Sequence, residues 1–403
     1  MVLRQADGTL WTADHVSVAG GGPGRIGALH ADAVHAARSG DSATAATLDG
    51  RDITMPPAAP GQAAGFDAAS VAFANLTAHG LALTAGGRLA NADGASVDDY
   101  GAGRASTVAI EGFSAPIPAS AYADHAGFSR FRLSGIDLAS LADALVRRTD
   151  VAKPTVGRVD LQLDGVLVGQ GGSPILRLAR AVVASASGEG LAVSTATADV
   201  SGFSLTPVDA SSRASLQTIG LDAIRGGLSL ASSYATAGGV LQVAPLTMQV
   251  DGLGSLEVAV KLARVDAPGT TRGASVWEAA GIRQDGQLAS ASLLFRDAGL
   301  RDRLLALGAR RTGLTPDQLA GQAVERIGSD PTFSLIPGGG QARQALASFV
   351  SAGGMLRVAL NPPSPIALSE VLRTSRRDPV SLVASLGLAV SGGPQTKPGT
   401  AGN

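Results

Sequence analysis

Leu246-Thr-Met-Gln-Val250 and Leu256-Glu-Val-Ala-Val-Lys-Leu262, separated by Asp251-Gly-Leu-Gly-Ser255, decide the fold. Each run alternates apolar and polar residues with period two, the signature of a strand with one dry and one wet face. The glycine-rich break makes a hairpin or a sharp bend. Either geometry lays Leu246, Met248, Val250, Leu256, Val258 and Val260 along one apolar strip, because all six share one phase. If the chain binds an apolar ligand, this strip is its expected site; the competing reading of the same pattern is an ordinary buried core.

The same period runs outward in both directions. Val159-Asp-Leu-Gln-Leu163 puts Val159, Leu161 and Leu163 on one face, and alternation dominates from about residue 10 to 295. A looser motif recurs within it: a glycine followed by an apolar residue, at Gly80, Gly112, Gly135, Gly165, Gly202, Gly220 and Gly252. The intervals are too irregular for a solenoid. Glycine inside a strand pattern marks a bulge or bend. The expected fold is therefore mainly β, an elongated, twisted antiparallel sheet of successive hairpins with a short helical module at the C-terminus.

Helical signals are few. Asp137 is placed to cap a helix near 138–147 with Leu138, Leu141, Ala142 and Leu145 on one stripe. From Asp297 the period changes. Leu300, Leu304 and Leu307 line one helix, and Thr315-Pro-Asp-Gln318 reads as a capping box with Pro at the first helical position. Ala342, Ala345, Leu346 and Phe349 line another helix, ending at Gly353-Gly354. Leu356-Arg-Val-Ala-Leu360 returns to strand, and Asp378-Pro379 starts a last helix around Val380, Val383 and Ala384. These helices are expected to cap the sheet end, burying Leu300, Leu304, Leu307, Leu346 and Phe349. The organisation expected is an N-terminal hairpin region (1–125), a central sheet region (126–285), a helical cap with a strand (286–392) and a disordered tail (393–403).

Composition narrows the functions. The chain has 403 residues, 45% of them apolar but only 3% aromatic, with 53 glycines, so its core is built from small side chains. Net charge is −1 with the signs mixed, which leaves no field to gather nucleic acid. No cysteine is present, which removes disulfides, thiolate metal sites and Cys nucleophiles. No segment has the roughly 18 consecutive apolar residues of a membrane span, and the first residues lack the apolar region of a signal peptide. Strand-like sequence nevertheless begins at once, over Leu10–Val18, which points to a natural start further upstream.

Gly22-Pro-Gly-Arg-Ile-Gly27 matches G-x-G-x-x-G, and Asp49 stands where a ribose-binding acid would. A dinucleotide site requires a helix over 28–38 and a parallel sheet around it. The run of strands downstream favours a hairpin turn instead. His15, His30, His35, His79 and His125 have no metal-ligand spacing, no serine sits in a G-x-S-x-G elbow, and Asp98-Asp99 reads as a solvated turn. Arg301, Arg303, Arg310 and Arg311 flank the first C-terminal helix. A lipid head-group contact is one reading of them, and a solvated helix face is the favoured one. No cofactor and no catalytic residue is expected.

Residues 216–265 and 288–330 carry a resemblance. Leu216-Gln-Thr-Ile-Gly-Leu-Asp-Ala-Ile-Arg-Gly-Gly-Leu228, Leu293-Leu-Phe-Arg-Asp-Ala-Gly-Leu-Arg-Asp-Arg-Leu304 and Gly313-Leu-Thr-Pro-Asp-Gln-Leu319 together resemble the bacterial envelope proteins grouped as AsmA-like, proteobacterial relatives included. The resemblance implies a twisted sheet or groove made of hairpins, a place in the envelope or periplasm, and a role in lipid movement or envelope upkeep. It supplies no catalytic residues. The leading expectation is a non-enzymatic envelope protein offering an apolar β-groove to lipid or to another envelope protein. The alternatives are a structural or surface-interaction β module without ligand and, remotely, a nucleotide-binding enzyme using the Gly22–Gly27 loop.

Overall fold

The computed structural model describes residues 1–4, 8–55, 70–117, 122–147, 157–187, 194–266, 286–335 and 337–393. The expected tail at 393–403, but for its first residue, and most of the 266–286 stretch lie outside them. The protein is mainly β, an open antiparallel sheet of successive hairpins with a few helices near the C-terminus, and it divides into two compact units, 1–189 and 190–403.

In the first unit, strands β1 (Val2–Arg4), β2 (Leu10–Thr12) and β3 (His15–Gly22) lead into long strands: β4 (Arg25–Arg38), β5 (Asp41–Thr54), β6 (Phe73–Ala85), β7 (Arg88–Tyr100), β8 (Ser106–Pro116), β9 (His125–Ile136), β10 (Arg158–Gln170) and β11 (Ser173–Ala186). From β3 onward each pairs antiparallel with its chain neighbour. Gly22 pairs with Arg25 across the tight turn at Pro23-Gly24, and residues 25–38 are one strand. The G-x-G-x-x-G match is thus a hairpin turn, without the helix a pyrophosphate site requires. Asp98 and Asp99 are also corrected: both lie within β7, where Asp98 is paired on both sides and accepts from Asn75 Nδ2 at 2.7 Å, while Asp99 sits out of register with φ 55°.

All seven glycines of the recurring motif have positive φ, between 59° and 86°. Three of them explain the recurrence. Gly80 on β6, Gly112 on β8 and Gly165 on β10 stand opposite Ala46, Asp93 and Ser129 on the strand before. A Cβ at those glycines would meet these side chains at 2.9, 1.9 and 2.4 Å. One left-handed residue in a strand slips the alternation by one, so apolar residues move from 108 and 110 to 113 and 115 while staying on the same face. On β9 the slip shows directly. The rings of Phe128 and Phe131, three residues apart, lie 6.2 Å from each other, whereas an unbroken strand would send them to opposite faces. On β4 the corresponding position is Ala33, with φ 50° and no glycine to mark it.

Helix α1 (Leu138–Arg147) packs where β6 begins and β7 ends, with Leu138 and Ala139 against Val71, Phe73, Val97 and Tyr100. Asp137 caps it as expected: Oδ1 accepts from Ser140 N at 2.9 Å and Oδ2 from Gly103 N at 2.8 Å. Ala139 is fully buried with Val71 and Tyr100. The side chain of Leu145 lies outside the described residues.

The second unit orders its strands β12 (Thr195–Leu205), β13 (Ile224–Ala235), β14 (Val240–Val250), β15 (Gly254–Ala263), β16 (Gln287–Asp297), β17 (Met355–Leu360) and β19 (Leu388–Gly393), all antiparallel, with β18 (Ile366–Ala367) beside the start of β16. Helix α2 (Ala210–Thr218) joins β12 to β13. Helices α3 (Leu300–Thr312), α4 (Pro316–Ser329), α5 (Thr332–Leu335) and α6 (Gly339–Ala352) lie between β16 and β17, and α7 (Leu368–Arg377) and α8 (Pro379–Ser385) follow β18. The capping box is complete: Thr315 N donates to Gln318 Oε1 at 2.9 Å and Gln318 N to Thr315 Oγ1 at 3.2 Å.

The expected helix faces need three corrections. Leu304 is 51% exposed, while Leu300, Leu307, Leu346 and Phe349 are half-buried. Helix α8 and its C-cap bury Leu382 and Leu386, leaving Val380 and Val383 half-buried and Ala384 exposed. Helix α3 is held less by a leucine stripe than by arginines. Arg301 donates to Val350 O (2.7 Å) and Ser351 O (2.5 Å), and Arg303 to Gly252 O (3.2 Å), Ile219 O (2.6 Å) and Gly220 O (2.9 Å). These carbonyls end helices and turns and have no ladder partner, so a guanidinium fork satisfies several at once.

Candidate functional site

The apolar strip of residues 246–260 is a hairpin in the second unit. Leu246 pairs with Val258, Met248 with Leu256 and Val250 with Gly254; Val260 pairs with Val243 after a one-residue bulge at 244–245. Directly opposed residues share a face, so register extends the strip sideways. One row runs Val200, Leu228, Met248, Leu256, Phe295, Leu356 and Gly392. The next runs Ala198, Leu230, Leu246, Val258, Leu293, Val358 and Val390. The six residues read from sequence are the middle of an apolar face seven strands wide, roughly 29 Å at ordinary strand spacing. The opposite face is mostly polar: Asp199, Ser229, Thr247, Glu257 and Arg357 fall in one row, interrupted by Leu294 between the last two, and Arg296 pairs with Glu257 at 3.2 Å.

Helices cover the two ends of the apolar face. At one end Leu241, Leu262 and Leu288, each 7% exposed, pack with Leu382 of α8 and Leu386 just after it, and Leu368 and Val371 of α7 join them. At the other end Phe349 of α6 meets Phe295 edge-on at 5.9 Å. Gly392 lets that helix approach, since a Cβ there would stand 3.1 Å from Ala345 O. Between the covers the face is open. Met248 is 40% and Leu293 37% exposed, while Leu246, Val250, Leu256, Val258 and Val260 are half-buried among their neighbours. The open band presents methyl and thioether groups with no charged or titratable side chain, so it offers apolar contact and no acid–base chemistry.

Three clefts lie on the polar faces, and another, of about 380 Å³, lies among the helices of the second unit, lined by Leu319, Ala323, Arg326, Ile327 and Phe333. In the first unit two of them, of about 360 and 400 Å³, share Asn75, Thr77 and His79. There His30 Nδ1 stands 2.7 Å from Asp49 Oδ1 and Nε2 3.2 Å from Asp32 Oδ1. The Asp49 hydrogen bond raises the His30 pKa above its ordinary value; desolvation opposes it, and the Asp32 charge adds to the rise. A cleft of about 240 Å³ in the second unit is lined by Gln242, Lys261, Ser290, Ser292 and Arg357. Among the described residues no group of three His, Asp or Glu side chains is placed to hold a metal ion, and no helix is long and apolar enough to cross a membrane.

Two further features of this region are legible in the sequence. Leu368, Val371 and Leu372 have helical spacing and mark α7. The chain also carries a charge asymmetry: residues 300–377 hold ten arginines against five acidic residues, +5 in a chain of net charge −1.

A family model described as "Uncharacterized protein" matches residues 247–392, from within β14 to the last strand. Among curated proteins and among solved structures nothing matches the chain.

Proposed function

We propose that this protein is a non-enzymatic, lipid-handling component of the bacterial envelope, and that the open apolar band of the second unit receives acyl chains. One observation carries the reading. An apolar face seven strands wide is sealed by helices at both ends and left open between them, with Met248 and Leu293 exposed. Exposed apolar area of this kind is costly in water and marks a surface that meets a ligand or partner. Lipid is the favoured occupant because the band lacks the polar groups that position a polar ligand. The AsmA-like resemblance of residues 216–265 and 288–330 supports the same reading, and with it a periplasmic or envelope location.

A second reading, a surface-interaction module without lipid, is favoured by the three clefts on the polar faces. One experiment separates the two. Leu293→Asp places a carboxylate on the open band where water reaches it, and Val258→Asp does so at the band's centre. Ser292→Asp is the control on the polar face. Uptake of a fluorescent fatty acid falls at least tenfold in the folded Leu293 variant and is unchanged in the Ser292 variant. Equal uptake by all three folded proteins removes the lipid reading.

A further inference from the structure

We infer that the second unit docks on an anionic bilayer surface through the exposed faces of α7, at one end of its sheet, and of α3, at the other. The first observation is charge: residues 300–385, which carry α3 to α8, hold ten arginines and six acidic residues, so this stretch is cationic in a chain that is otherwise acidic. The second is how the arginines are used. Arg301 and Arg303 are consumed as staples to backbone carbonyls. Arg310, Arg311, Arg376 and Arg377 are exposed and make no ion pair or hydrogen bond among the described residues. Arg373, by contrast, is held by Glu370.

The third observation is what stands beside the free arginines. Leu372, 64% exposed, is four residues before Arg376 on α7. Leu304, 51% exposed, is seven before Arg311 on α3. Both spacings put leucine and arginine on one helix face. On α7 the inner side is already occupied, because Leu368 and Val371 pack into the core under Leu382. Leu372 is therefore surplus to folding.

A leucine beside unpaired guanidinium groups fits the interfacial region of an anionic membrane, where the apolar group enters the acyl boundary and the cations meet phosphate. Nucleic acid satisfies the arginines but leaves both leucines in water, which is why the membrane is favoured. This surface is distinct from the open apolar band, and the two readings fail separately.

The test uses the full chain and vesicles of phosphatidylcholine with or without phosphatidylglycerol. Co-sedimentation with the anionic vesicles is expected, weakened by salt, with little binding to the neutral ones. Arg376→Gln with Arg377→Gln lowers partitioning about fivefold per arginine removed. Leu372→Gln lowers anionic-vesicle binding while leaving the circular dichroism and the fatty-acid uptake of the native protein unchanged. Equal binding to neutral and anionic vesicles, no binding to either, or binding to duplex DNA in place of vesicles overturns the proposal. So does full vesicle binding by the folded Leu372 and Arg376/Arg377 variants.

Discussion

Leu288 and Leu293 lie on the same strand and the same apolar face, yet truncating them has unequal cost. Leu288 is 7% exposed beneath α8, so Leu288→Ala removes buried methyl groups and leaves a cavity bounded by Leu382 and Leu386. That combination costs about 2–5 kcal/mol. Leu293 is 37% exposed. A fully buried leucine side chain contributes about 1.5–3 kcal/mol, so roughly six tenths of that is present, and alanine retains part of it. No cavity term applies, since the space left behind opens to water. Leu293→Ala therefore costs about 1 kcal/mol. Both residues belong to one compact unit and report on one transition, so equilibrium urea unfolding at constant m compares them directly. An equal loss at the two positions, or a larger one at Leu293, would show that the middle of the face is covered, and the open-band argument would fall with it.

Ala33→Gly is expected to stabilise the first unit by about 0.5–1 kcal/mol, because Ala33 has φ 50° inside β4; a thermal melt showing a loss refutes the crease assignment there. Gly135→Ala, with φ 86° and a Cβ that would stand 1.8 Å from Arg158 O, should cost at least about 2 kcal/mol, read from the same melts. Backbone and side-chain hydrogen bonds from Ser212 hold Asp209 at about 2, and the Arg225 guanidinium does the same for Asp222. Both pKa values lie below the unfolded carboxylate value. Their stabilisation is thus complete above about pH 5 and is lost as pH falls from about 4 towards 2. Asp209→Asn with Asp222→Asn should flatten urea midpoints measured across that window. His30 should titrate above its ordinary value by NMR, adding stability that is present below about pH 6.5 and lost as pH rises through the raised value. Asp49→Asn should bring its pKa down, and an unchanged titration would rule out the Asp49 contact as the cause.

The sequence by itself determined the features that depend on near neighbours. Period-two alternation placed the 246–262 hairpin and its apolar phase, because side-chain direction in a strand follows from backbone geometry alone. Seven glycines marked left-handed positions, because only glycine adopts them at no steric cost. Asp137, Thr315-Pro-Asp-Gln318 and Gly353 marked helix ends through contacts within a single turn. The tertiary structure decided everything that required knowing what lies opposite. Ala33 adopts the glycine conformation because β5 continues the same crease beside it, a constraint invisible to a search for glycine. Leu304 is exposed and Leu382 is buried because helix faces are chosen by the surface beneath them, and a stripe of leucines does not say which side meets a sheet. Whether a row of valines and leucines forms a core or an open band is likewise not local. The alternation over Leu256–Leu262 is unbroken, and one bulge between Leu288 and Ser290 keeps Leu288 on the face of Leu293 and Phe295; along that one face only the placement of α6, α7 and α8 covers the ends and leaves Met248 and Leu293 to water.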